Sequence, residues 1–218
     1  MKKLKLILVT LIACPFLTGC AILFLLFSPS PSNSVDESWT KKPNKVNIVF
    51  TDPFLYDPEK FDQDIPEYPG RFNDWFIAEL ISDLENRTSG IHYSMKRIPK
   101  DKIKIEKVLH KDEGVNAPVF TEMDKSADIY LVMDSLWIGK TKKGTSCESN
   151  IDIMNGCKLL YLTAKGNFAY YDTKDGKRVG FGKIESNSKY WSAITRGNWT
   201  GMVNLTSKKV LLGTPLED

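Results

Sequence analysis

The chain has 218 residues, 42% of them hydrophobic and 26% charged, which is the balance of an ordinary folded domain. With 14 Gly, 11 Pro, 4 Cys and no self-similar period, wholesale disorder, repeat architectures and a dense disulfide scaffold are excluded. The formal charge of +3 comes from Lys2, Lys3 and Lys5, and the remainder carries 27 basic and 27 acidic groups, so nothing points to a nucleic-acid partner.

The three lysines precede the apolar stretch Leu6 to Phe16, the layout of an export signal. Leu17-Thr18-Gly19-Cys20 follows directly and resembles the lipobox of bacterial lipoproteins. The resemblance implies that residues 1–19 are a signal peptide and that Cys20 becomes the acylated first residue of the mature chain, with membrane lipid as its partner. Apolar residues continue from Ala21 to Phe27, so Leu6 to Phe27 is also a run of 22 mostly apolar residues, long enough to cross a bilayer core of roughly 30 Å. An uncleaved single-pass helix is therefore the rival reading, with Pro15 weakening it. Both place the body on the far side of the inner membrane. The residue after Cys20 is Ala21, where the lipoprotein family's signal for inner-membrane retention is an aspartate, so the resemblance implies the outer membrane.

Ser28 to Pro43 has a linker's composition, and residues 20–44 are expected to hold the lipid anchor, the apolar segment and a flexible tether, with Trp39 docked on the domain. Residues 45–218 are expected to form one domain. Val46 to Phe50 alternates as a strand does, and Pro53 to Gly70 holds four prolines and no regular element. Arg71 to Arg87 places Phe72, Phe76, Ile77, Leu80, Ile81 and Leu84 at helical spacing, and Thr88-Ser89-Gly90 ends that helix. Ile91 to Ile98 reads as a strand, Pro99 to Lys125 as strand or short helix, and Ala127 to Ile138 as a central strand. Lys158 to Tyr171 and Val179 to Ile184, joined by Asp172 to Lys177, read as a β-hairpin, and Ser192 to Leu212 as a closing helix rich in Gly and Thr. This order implies an α+β fold, a mainly antiparallel sheet with two helices packed on one face. The pattern loosely resembles small α/β envelope lipoproteins that act as accessory parts of larger machines, a likeness that carries no functional residues across.

Cys147 and Cys157 enclose nine residues rich in Asn, Asp and Gly, and in an exported protein a disulfide there would contribute about 2.5 to 3 kcal/mol. Two unrelated thiols or a metal pair are the other readings, the last without a nearby His or third Cys. The two histidines are expected to be ordinary, His92 partly buried in a strand and His110 exposed among lysines. With no nucleophile elbow, phosphate loop, dinucleotide fingerprint or metal-ligand spacing, neither catalytic residues nor a metal or cofactor are expected.

Asp52, Asp57, Glu59, Asp62, Asp64 and Glu67 lie within sixteen residues beside Phe54, Tyr56, Phe61 and Tyr68. A solvated loop pinned by its aromatics is the plain reading, and a grip on a basic partner the functional one, for which Asp57, Glu59, Asp62, Asp64 and Glu67 are the candidates. Residues 45–135 carry a net charge of −6 and 136–218 of +6, so charge is either intermixed on folding or left in two poles. The expectation is a membrane-anchored, non-catalytic envelope module with a protein partner. The alternative is an envelope hydrolase or ligand-binding enzyme using carboxylates of residues 53–70.

Overall fold

The computed structural model describes residues 33–55, 72–144, 158–191 and 193–217. Its strands are β1 (Asn33–Val35), β2 (Lys45–Phe50), β3 (Phe54–Leu55), β4 (His92–Arg97), β5 (Lys104–His110), β6 (Glu113–Val119), β7 (Ile129–Gly144), β8 (Lys158–Asp172) and β9 (Arg178–Tyr190). Two helices, α1 (Phe72–Arg87) and α2 (Arg196–Leu211), complete it with a 3-10 turn at Lys100–Lys102. The main sheet has the order β1-β9-β8-β7-β2-β4, with β3 beside β7, and β5 and β6 form a separate hairpin.

Val46, Ile48 and Phe50 of β2 point to one face of the sheet and Val49 to the other, and all four are buried. Both faces of this strand are therefore covered, which is why it reads as an almost continuous apolar run. On the first face lie both helices. Phe72, Trp75, Phe76, Leu80 and Leu84 form the buried stripe of α1, and Thr88 closes its end by donating its hydroxyl to the Leu84 carbonyl at 2.8 Å. α2 buries Trp199, Met202, Val203, Val210 and Leu211. Trp199 lies 5.2 Å from the ring of Phe72 and 6.2 Å from that of Trp75, so the two helices meet through aromatic edges. The opposite face is covered by the β5–β6 hairpin and the turns flanking it, where Ile98, Ile103 and Phe120 pack with Val49, Tyr130, Val132, Ala169 and Tyr171.

The two helices do share one face and most of the pairing is antiparallel, but the main sheet is mixed and the β5–β6 hairpin forms a second sheet. β2 runs parallel to both β4 and β7, while β7, β8, β9 and β1 are antiparallel in turn. The cause is α1: a crossover helix returns the chain to the starting end of the sheet, so β4 enters in the direction of β2. The folded body also begins before residue 45. β1 pairs antiparallel with Gly180 to Gly182 of β9, and the buried Asn33 donates its side-chain amide to the carbonyls of Lys209 and Leu212, at 2.5 and 3.2 Å. Trp39 docks as expected, its ring 5.1 Å from that of Tyr170. The Ser- and Asn-rich composition of this stretch suits a linker, but Asn33 spends its polarity on the open end of α2, a service that composition does not encode.

Beyond Ser135 the strands β7, β8 and β9 continue together as a three-stranded arm, with α2 over one side. Asn198 ties that helix to the arm: its side-chain oxygen accepts the N–H and the hydroxyl of Thr195, both at 2.9 Å, and its amide donates to the Lys189 carbonyl at 2.9 Å. A Cβ placed on Gly201 would stand 3.2 Å from Ser188 Oγ, so this glycine lets the helix lie close on β9.

Candidate functional site

Of the side chains singled out from the sequence, Cys20, Cys147, Cys157, Asp57, Glu59, Asp62, Asp64 and Glu67 all lie outside the described residues. The acidic segment connects β3 to α1, so it is attached at the carboxyl ends of the parallel strands, the edge at which open α/β sheets place their ligands. The described part of that edge is polar. Asp52 is ion-paired with Arg97 from the end of β4. Asp134, buried at the end of the apolar run of β7, receives the hydroxyl of Thr51 at 2.8 Å on one carboxylate oxygen and that of Ser135 on the other.

Ser135 has φ of 55°, in the left-handed region, and the β7–β8 register shifts between Asp134 and Trp137. The network thus holds a β-bulge at which the arm departs from the parallel core. With both oxygens accepting hydroxyl donors, Asp134 is placed as a staple between β2 and β7 rather than as a base. Sequence reasoning passed over it; the available signal was the polar pair Asp134-Ser135 interrupting a strand of Ile, Leu and Val.

The histidines reverse their expected settings. His92 is exposed on β4, whereas His110 is half-buried at the end of β5, edge-on to Phe181 with ring centres 6.1 Å apart. Among the described residues no cluster of three His, Cys, Asp or Glu side chains has metal-binding geometry.

Open clefts lie on the surface of the described residues, and two of them hold carboxylates. One, of about 340 Å³, lies between the helices and is lined by Glu79, Asp83, Thr200 and Asn204; Asp83 is held by Arg87 at 2.8 Å and by the Asn204 amide at 3.1 Å. The other, of about 310 Å³, lies by the β8–β9 turn among Trp39, Lys41, Asn44, Asp128, Asp172 and Lys174. There Asp128 accepts the N–H groups of Asn44 and Lys45 at 2.8 and 3.1 Å, and the Asp172 side chain accepts that of Lys174 at 2.8 Å, so both carboxylates are engaged in shaping loops.

The hairpin is pinned to β9 by Arg178–Glu106 at 2.6 Å and Lys183–Glu113 at 3.8 Å. Its outer strand leaves Leu109 exposed. The arm is braced on the side turned from α2 by a polar ladder, with Thr141 and Thr163 hydroxyls 2.6 Å apart and Thr163 donating to Asn187 at 2.8 Å. At the arm's end Trp191 is 76% exposed, with Lys189 Nζ 4.2 Å above its ring.

No family model matches the chain, and no curated protein matches it. Among solved structures, the PelC dodecamer from Paraburkholderia phytofirmans is similar at 13% identity and a TM-score of 0.40, over 85% of this chain and 97% of that one. A neuraminyllactose-binding hemagglutinin homologue from Helicobacter pylori gives 16% and 0.28 over 79% and 82% of the two chains. A DUF330 protein from Xanthomonas campestris gives 10% and 0.32 over 81% and 84%. At these scores none of the three likenesses carries an argument about this chain.

Proposed function

We propose that the protein is a lipid-anchored, non-catalytic module of a bacterial envelope that binds or assembles with another envelope component. The observation that carries this reading is the order of the leader: three lysines, an eleven-residue apolar stretch, then Leu17-Thr18-Gly19-Cys20. In this reading Cys20 is acylated, Cys147 and Cys157 close their loop as a disulfide, and the acidic segment from Asp57 to Glu67 is the partner-facing element beside the parallel strand ends. The engagement of Asp52 by Arg97 and of Asp134 by two hydroxyls supports binding over hydrolysis, because these neighbouring carboxylates are committed to side-chain contacts that join the strand ends.

The test is the anchor. Cys20→Ser is expected to abolish incorporation of labelled fatty acid and to leave a precursor heavier by the leader, as read by mass spectrometry of the membrane fraction. A variant and parent of equal processing, neither taking up label, would overturn the lipid reading in favour of the transmembrane one. Because Ala21 follows Cys20, the acylated parent is expected in the outer-membrane band of a density gradient.

A further inference from the structure

The sequence places a surplus of positive charge in the second half of the chain, and the fold shows where it collects. Residues 139–165 and 185–196, which build the arm, its connecting loop and the entry to α2, carry seven basic and three acidic side chains. In the described part of the arm Lys142, Lys165 and Lys189 are exposed, as is Arg196 at the start of α2. Lys189 stands on the side turned away from α2, because Leu162 and Ala164 face the helices' core and Ser186 bonds to Thr206 of α2; Lys142, opposite Leu160, stands on the other side at the same level near the tip, whereas Lys165, opposite Trp137 and Glu185, belongs to the arm's base. Trp191, two residues after Lys189, shares that side and stacks with it.

The indole of Trp191 is exposed over 76% of its surface at the tip of a basic arm. Indole and ammonium groups together suit the headgroup layer of a bilayer, where the ring lies among the glycerol and carbonyl groups and the cations meet anionic lipid.

The chain's path points the same way. β1 is antiparallel to β9, so the amino end of β1, at Asn33, faces the Trp191 end of β9. Asn33 lies opposite Gly182, nine residues before Trp191, or about 30 Å along the strand. Thirteen residue steps separate Asn33 from Cys20, a reach of up to about 45 Å, which is long enough for the arm's tip to meet a bilayer that holds Cys20.

We propose that the tip of the arm, with Lys142, Lys189 and Trp191, is a second membrane contact that binds anionic phospholipid headgroups. This rests on the export and anchor reading for the presence of a bilayer, and its test separates the two.

Full-length protein is reconstituted in vesicles of phosphatidylcholine with and without phosphatidylglycerol, and lysine acylation is followed by mass spectrometry. Lys142 and Lys189 are expected to react about fivefold more slowly on the anionic vesicles, the factor corresponding to one lysine held at such a surface, with high salt restoring the rate. Exposed Lys104 and Lys107 of the hairpin are expected to react equally on both. The K189E variant, changed at one exposed position of the tip, is expected to lose the lipid dependence at Lys142. Equal rates on both vesicles would overturn the proposal, as would a slowing that follows protein density instead of lipid charge, which would assign the surface to a second copy. Protein that carries acyl label on Cys20 yet shows equal rates would fail this proposal alone, and unlabelled protein with slowed lysines would fail only the anchor reading.

Discussion

Several short polar side chains do their work here by holding backbone. Asp124 accepts the N–H of Ser126 at 2.7 Å and the hydroxyl of Tyr130 at 2.8 Å, fixing the entry to β7. Hydrogen bonds from the Ser126 side chain and backbone, and then from Tyr130, hold its carboxyl at about 2, below the ordinary aspartate value of 3.8. A folded-state value below the unfolded one stabilises the fold above the unfolded value and ceases to do so as pH falls through the folded one. Asp124→Asn is therefore expected to lower the urea midpoint at pH 7, and the gap between variant and parent is expected to close between about pH 4 and pH 2. A gap that stays constant over that window would show that the carboxylate's charge contributes nothing. Tyr170 illustrates the opposite pressure: burial pushes its hydroxyl well above the ordinary range, and the hydroxyl donates to the Val210 carbonyl at 3.0 Å.

Among the elements, β1 is the most exacting, because three residues of strand are seated on two glycines, Gly180 and Gly182, and the second leaves the least room. A Cβ on Gly182 would stand 2.5 Å from the Asn33 side-chain oxygen and 2.8 Å from the ring of Phe168, which is fully buried and has nowhere to retreat. Gly182→Ala is expected to cost about 1 to 3 kcal/mol and to speed hydrogen exchange at Asp36, whose N–H reaches the Val179 carbonyl at 2.8 Å, more than in the centre of β8. Uniform exchange across the domain would refute this coupling. The long elements were legible: α1, β2, β7 and the β8–β9 hairpin each carry the periodicity of their class over enough residues to be read directly. The β5–β6 hairpin was not. β5 pairs only with β6, and most of its residues are exposed, so it shows no apolar alternation against the core. α2 was only weakly marked because Gly197 and Gly201 lower its propensity, a loss offset by the close seat on β9 and the burial of Trp199.

At the scale of the whole molecule, parallel pairing was the feature that pattern order left undetermined, since strand alternation is the same in either direction and only the crossover through α1 decides it. The candidate surfaces follow the same rule. The bulge staple at Asp134 depends on Thr51, eighty-three positions earlier, and the basic arm on the stacking of three strands; neither is a local pattern. β1 has a mechanical meaning for a protein leashed at its N-terminus. Under the proposed anchor at Cys20, a pull toward the amino end of β1 would act along the strand's own axis, so the bonds joining β1 to β9 would be sheared together instead of being peeled one by one. Release of residues 33–44 would then lengthen the leash by about 40 Å. A domain anchored in this way would give way first at its mooring, adding slack before its core bears any load.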